Sequence, residues 1–380
     1  MEPMTPRKAA TLPGSMRRRL MMMAAATLAL ATVATACSDV KTSSTATTAA
    51  ATAAPTGKTI DYAILTGTLN GSGSSFQDTL EQKAKTLFAA KAAKVTVNYT
   101  KSGSSAGKTD LANQTKQFAG TDSLVKDADK PTFKGGGILY FPVAAAPITI
   151  SFHVSDVTDL SFSPDTLAGI FGAKITSWDA PEIKADNPGA TLPSKSIAVV
   201  HRSDGSGTTS NFTKYLKKAS PSVWTLGAGD TVLWPTSTIG AEKNSGVAST
   251  ISTTDGSIGY VDLADAVVAK LDMAKVKNKS GKLVAPTLVA ASAALDGIDV
   301  KPDLTYDPLD APGAAAYPIT SPTWVIVYKQ QPDAATAAAL IGYLNFFLTD
   351  VQVAAPRVGY AALSASLQQK AVAQLDLITS

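Results

Sequence analysis

Apolar and polar positions along this chain follow one rhythm three times: a short apolar run, a turn of Ser and Gly, then a stretch with helical spacing. First, an apolar segment ending over Ile60–Gly67 precedes Gly71-Ser72-Gly73-Ser74-Ser75-Phe76-Gln77. A helix is expected from Asp78 to Lys94, with Leu80, Ala84, Leu87 and Phe88 on one face. Second, Val95-Thr96-Val97-Asn98-Tyr99 alternates like a strand. It feeds Ser102-Gly103-Ser104-Ser105-Ala106-Gly107 and a helix from about Lys108 to Phe118. Third, Ser196–Val200 reads as a buried strand, His201–Thr208 as a polar turn, and Thr209–Ala219 as a helix with Phe212, Tyr215, Leu216 and Ala219 on one face. Strands that end in such turns predict an open α/β sheet, where the turns gather at the carboxyl ends of the strands and ligands sit.

The remaining pattern fills in the same class. Gly135–Phe152 is apolar and interrupted by Pro142 and Pro147, which predicts consecutive strands and a crossover. Ser163-Pro164-Asp165 opens a helix that ends near Phe171-Gly172. Thr231–Pro235 and Gly256–Val261 read as strands, with a helix from Asn244 to about Ser252 between them. Val284–Tyr306 reads as surface helix and loop, and Tyr317–Tyr328 as a buried strand. Two helices close the chain, Ala334–Leu348 and Ser364–Leu377. No repeat of fixed period is present.

The turn after Val200 holds the densest chemistry. No bulky side chain stands between Ser203 and Gly207, so backbone N–H groups can converge at the positive end of a helix. Ser206 and Thr208 add hydroxyls, and Arg202 adds a planar fork suited to an oxyanion. The stretch reads as an anion cradle; an ordinary helix cap is the alternative. Asp122, in Phe118-Ala119-Gly120-Thr121-Asp122, would repel an anion unless that anion carries a proton. An ionised carboxylate only accepts, so it suits hydrogen phosphate and leaves sulfate unsatisfied; a turn or capping Asp is the alternative.

Two other motifs compete for the second turn. Gly107-Lys108-Thr109 imitates the end of a nucleotide-binding P-loop, but Ser102 stands where that motif needs Gly. Gly103–Gly107 fits G-x-S-x-G, which would make Ser105 a nucleophile served by His201 and by Asp156 or Asp159. A secreted serine hydrolase or phosphatase is therefore kept as a rival, as are a receptor for another tetrahedral oxyanion and a non-binding adhesin or scaffold.

Charge and cysteine usage narrow the partners. The formal net charge of +4 resides in residues 1–36, and the rest balances to zero, so no basic field recommends nucleic acid. One Cys excludes an internal disulfide, and with two His it leaves little for structural zinc. Arg17-Arg18-Arg19 precedes seventeen uncharged residues, Leu20–Ala36, then Cys37. This reads as an export signal over 1–36, and the triple Arg leaves twin-arginine export open. Ala34-Thr35-Ala36-Cys37 resembles a lipobox with Ala34 where Leu is usual, which makes Cys37 the lipidated N-terminus; a plain secretory signal is the alternative. The Ala/Thr/Ser-rich stretch to residue 57 reads as a tether.

Several motifs together resemble one family. They are Lys174-Ile175-Thr176-Ser177-Trp178-Asp179, Asn187-Pro188-Gly189, Leu192-Pro193, Ile197–Thr208 with Arg-x-Asp-Gly-Ser-Gly-Thr, Trp234-Pro235, Gly256–Val261 and Tyr317-Pro318-Ile319-Thr320-Ser321. From about Gly67 onward the chain resembles the phosphate-binding protein of the bacterial high-affinity phosphate ABC transporter. The resemblance implies a two-domain periplasmic-binding-protein (clamshell) fold, with a hinge between two mixed α/β domains: 58–145 plus 316–380, and 146–315. It also implies phosphate ligands at Ser75, Phe76, Ser104, Asp122, Arg202, Ser206, Gly207 and Thr208, with Asp204 holding the Arg202 fork. A lipid-anchored monomer on the outer face of the cytoplasmic membrane is expected, without cofactor, metal or catalysis, delivering inorganic phosphate to the transmembrane subunits of an ABC permease. Two departures stand out: Ser75 where Thr is common, and Ala106-Gly107-Lys108 in place of Gly-Gly. His201 is expected at the rim.

Overall fold

Glycine sets the first strand. The computed structural model describes residues 57–380; the expected export signal, Cys37 and the tether up to residue 56 lie outside them. Strand β1 (Gly67–Gly73) lies between the parallel strands β2 (Val95–Thr100) and β3 (Phe118–Thr121). Gly71, Ser72 and Gly73, assigned to the turn from sequence, complete β1 instead. A Cβ on Gly71 would come within 2.2 Å of the Phe118 ring, and one on Gly73, at φ +135°, within 2.1 Å of the Gly120 carbonyl. These glycines serve close strand approach inside the sheet.

Helix α1 (Asp78–Lys91) buries Leu80, Ala84 and Phe88. Helix α2 (Ser104–Ala112) begins four residues before the expected Lys108, because Gly103 at φ +96° turns the chain sharply and leaves Ser104 as the first helical residue. Phe118, expected at the end of this helix, opens β3 and stacks on Tyr99 with ring centroids 6.1 Å apart.

After a 3-10 turn over Asp127–Thr132 comes β4 (Ile138–His153), one strand of 16 residues where two and a crossover were expected. Both prolines fall where the ladder is already interrupted. Pro142 adjoins a bulge opposite Thr323 and Trp324. Pro147 ends the pairing with the strand Thr320–Tyr328, one residue before β4 turns to a different partner.

Short elements follow: β5 (Ser161–Phe162), α3 (Pro164–Phe171), capped where Ser163 Oγ accepts from Thr166 N–H at 3.3 Å, and α4 (Pro181–Asp186). Strand β6 (Ala198–Arg202) leads into α5 (Gly207–Ala219), capped by Ser206 Oγ, which accepts from Thr209 N–H at 3.1 Å. Thr231–Pro235 is not a strand; Leu233 in its middle is 90% exposed. The place beside β6 is taken by β7 (Ile239–Ala241), followed by α6 (Lys243–Thr253) and β8 (Ser257–Asp262).

Smaller pieces are α7 (Leu263–Val268), β9 (Asp272–Met273), β10 (Lys275–Lys277), β11 (Leu283–Val284) and α8 (Leu288–Ala293). The segment expected at the surface reaches inward at Tyr306, whose ring lies 5.5 Å from that of Trp324. Strand β12 (Thr320–Tyr328) is buried throughout. Helix α9 (Ala334–Leu348) sinks Leu340, Tyr343, Leu344 and Phe347 into the core, and α10 (Asp350–Ala354) and α11 (Ala365–Gln374) finish the chain. The run from Ala334 to Val358 is long and apolar enough to cross a membrane, yet most of it is spent on this packing.

The main sheet runs β2-β1-β3-β12-β4-β8-β6-β7, with β9 against β4, and β11-β10-β5 form a smaller sheet. The first part of β4 pairs with β12 and its last part with β8. One strand thus joins two mixed α/β halves. The turns after β1 and β2 belong to one half and those after β6 and β7 to the other. They meet across a cleft.

Candidate functional site

On the first wall, Ser74 Oγ lies 2.7 Å from both oxygens of Asp122, to which it donates, and its N–H donates to Gly120 O at 2.8 Å. Phe76 is fully buried, and its carbonyl accepts from Tyr360 Oη at 2.6 Å. Ser104 Oγ accepts from the Asp122 N–H at 3.3 Å. Asp122 directly follows β3, and its Oδ1 also accepts from Thr323 Oγ1 at 2.7 Å. Desolvation raises its pKa to about 6; the Ser74 and Thr323 hydroxyls and the charge of Arg202 pull the other way without cancelling it.

On the second wall, Arg202 ends β6 with its side chain buried. Its Nε and Nη2 donate to Asp204 Oδ1 and Oδ2 at 2.7 and 2.6 Å, and Nη1 donates to Asn244 Oδ1 at 3.0 Å. A guanidinium has five N–H groups, so one on each terminal nitrogen lies outside these bonds. Burial pushes the Asp204 carboxyl up, but the guanidinium, followed by Lys243, more than reverses this and holds it well below the usual carboxylate range. Lys243 donates to Asp204 through Nζ at 2.9 Å and N–H at 3.1 Å.

The walls interlock through small residues. A Cβ on Gly207 would sit 2.6 Å from Ser104 Oγ and 2.8 Å from Asp122. One on Gly103 would sit 2.7 Å from Asp204 Oδ2. Asn244 N–H donates to Ser75 Oγ at 3.2 Å, and its Nδ2 donates to Thr208 Oγ1 at 3.2 Å. Asn211 Nδ2 donates to the Asp122 carbonyl at 2.6 Å. Ser75, Arg202 and Thr208 are thereby tied through Asn244. Ser104, Asp122 and Gly207 lie in contact, and Ser206 caps the helix that Gly207 begins. Phe76 follows Ser75 in the same turn.

Sequence reasoning missed Asn244, Thr323, Ser74, Asn211 and Lys243. The Thr320-Ser321-Pro322-Thr323 run held a signal: polar residues inside a strand that reads as buried need partners. From sequence Asn244 reads only as a helix opening. His201 is not at the rim. Successive strand residues face opposite ways, so with Arg202 in the cleft His201 points behind it, stacked on Trp234 with centroids 4.7 Å apart. Its Nδ1 lies 3.0 Å from the Arg202 carbonyl, and burial lowers its pKa.

The nucleophile motif is not served as the hydrolase reading requires. Ser105 Oγ donates to Asp230 Oδ2 at 2.8 Å, Asp159 pairs with Lys275, and neither histidine hydrogen-bonds Ser105. Among the described residues, no group of three or more His, Cys, Asp or Glu is placed to hold a metal ion.

A family model described as a PBP superfamily domain matches residues 31–351. A phosphate-binding protein of Mycobacterium tuberculosis is 32% identical over 326 residues, covering 82% of this chain and 87% of that protein. Another, from Xylella fastidiosa, is 34% identical over 277 residues, covering 71% and 75%. This chain belongs to the phosphate-binding protein family. Its fold is shared with solved members: a high-affinity periplasmic phosphate-binding protein with phosphate bound has a TM-score of 0.66 at 22% identity, covering 81% of this chain and 93% of that one. One from Stenotrophomonas maltophilia has a TM-score of 0.65 at 20% identity, covering 81% and 94%. In this family member, the two halves joined by β4 form the clamshell of periplasmic phosphate-binding proteins.

Proposed function

We propose that this protein is a receptor that binds inorganic phosphate with high affinity outside the cytoplasmic membrane and delivers it to an ABC permease for import. The observation that carries the reading is the asymmetry of the two walls. One offers a charged fork held by Asp204 and Asn244; the other offers hydroxyls around one buried carboxylate. Ser75, Phe76, Ser104, Arg202, Ser206, Gly207 and Thr208 would donate to the phosphate oxygens, and Asp122 would accept the proton of hydrogen phosphate. A neutral polar group buried without a hydrogen bond costs on the order of 2–7 kcal/mol and an unpaired charge far more, so such a cage selects by leaving wrong ligands unsatisfied.

No chemistry is required of the site, and Ser105 acts as a donor to Asp230 rather than as a nucleophile. The lobes would be 58–145 with 316–380, and 146–315, pivoting where β4 changes partner. Export through residues 1–36, lipid attachment at Cys37 and a monomer complete the reading. Calorimetry on ligand-stripped protein tests it. The expected result is one-to-one phosphate binding that is blind to sulfate and weakens as pH falls through about 6, where Asp122 takes up a proton. Equal sulfate binding would overturn the ligand. Turnover of a phosphomonoester, abolished by Ser105→Ala, would overturn the receptor.

A further inference from the structure

We propose that Lys108 and Asp230, joined by Ser105, form a latch across the cleft mouth that governs how long the bound anion is held. The latch rests on the phosphate reading for its ligand, but its residues lie outside the proposed ligand set. Asp230 comes from the irregular segment between α5 and β7; Lys108 and Ser105 lie three residues apart in α2, so they share a helix face. Asp230 Oδ2 accepts from Lys108 Nζ and from Ser105 Oγ, each at 2.8 Å. The side chains of Lys108 and Asp230 are only 14% and 11% exposed, which removes this pair from the weak class of surface ion pairs.

The latch is wired to both walls. Lys108 Nζ also donates to Ser123 Oγ at 2.9 Å, the residue after Asp122. Ser105 follows Ser104, and its N–H donates to the Gly205 carbonyl at 3.2 Å. From the other side, the Asp230 carbonyl accepts from Ser206 N–H at 2.9 Å, so the residue that reaches across the cleft also holds the cap of α5. A Cβ on Gly205 would lie 2.5 Å from Ser105, so the walls close here to van der Waals contact. Just outside, a cavity of about 430 Å³ is lined by Ser105, Lys108, Lys126, Phe133, Asp230 and Thr231. Parting the walls must separate the charges toward this cavity before the anion can leave. The pair therefore stabilises the closed state without touching the ligand, and its loss acts on release.

The test is the release rate of radiolabelled phosphate chased with excess unlabelled phosphate, alongside the association rate. Lys108→Met keeps the side-chain stem. Asp230→Asn keeps the carbonyl that holds Ser206, so a folding defect in one variant leaves the other to decide. Each single change should speed release roughly tenfold, with association altered less than about threefold, and the double change should add little to either. Exchanging the charges, Lys108→Asp with Asp230→Lys, should recover part of the slow release. Release within twofold of wild type in both single variants, or effects that add in full, would overturn the latch. If the wild-type protein holds sulfate or another oxyanion instead, the phosphate reading falls, and the same chase with that anion still decides the latch.

Discussion

Asp122 and Asp204 stand on opposite walls of one cleft, each among several donors, and their carboxyls are driven in opposite directions. The donors on Asp122 are the neutral hydroxyls of Ser74 and Thr323; those on Asp204 are the guanidinium of Arg202 and the ammonium of Lys243. Neutral donors offset desolvation only in part, so Asp122 titrates near 6, whereas charged donors overwhelm it at Asp204. One carboxylate is left able to respond to a proton beside it. The other is locked, and in being locked it fixes the fork of Arg202. Burial does not distinguish a reading residue from a positioning one here; the charge of its partners does.

The comparison breaks most severely at Arg202→Ala. This variant removes both the fork and the cation that holds Asp204 ionised, and phosphate affinity should fall at least roughly a hundredfold by calorimetry. Stability should respond as well. Asp204, depressed below 3.8, stabilises the native protein above that pH and loses the contribution as pH falls through its folded value. In the variant this acid-side loss should shrink, as read by thermal melts across pH.

Asp122→Asn sharpens the comparison at intermediate cost. It keeps an acceptor for Ser74 and Thr323 and replaces the other oxygen with a donor. Sulfate affinity should rise about tenfold or more while phosphate affinity falls, and the weakening of binding through pH 6 should vanish. Because the folded pKa lies above the unfolded value of 3.8, ligand-free wild type loses stability as pH rises from about 4 to about 6 on account of this group. Melts of the variant should lack that loss.

Glu81 supplies the smallest and cleanest control. It lies in the core of α1, with Oε2 accepting from Tyr343 Oη at 2.6 Å and Oε1 without a partner. Desolvation raises its pKa to about 8. Wild type should therefore lose stability as pH rises from about 4.5 to 8. Glu81→Gln should flatten that decline in thermal melts and change phosphate affinity less than twofold.

Much of the fold was readable because its signals are local. Alternation marked Val95–Tyr99, and α9 was expected with the same bounds that it has, because Leu340, Tyr343, Leu344 and Phe347 repeat at helical spacing. The errors came where packing overrode local pattern. Two prolines looked like breaks, but β4 changes partners at one of them and bulges at the other, so it runs on. Thr231–Pro235 looked like a strand, but β7 occupies the place beside β6.

The sequence by itself determined the three hydroxyl-rich turns, the Arg202–Thr208 cradle and the presence of Asp122, since each depends on residue types within a few positions of one another. Only the tertiary structure decided what those groups touch. Lys108 meets Asp230 across 122 positions, Asn244 meets Ser75 across 169, and Thr323 meets Asp122 across 201. No local period encodes such contacts. They exist because β4 joins two half-sheets whose turns face each other, and because glycines at 103, 205 and 207 leave the room for the walls to meet.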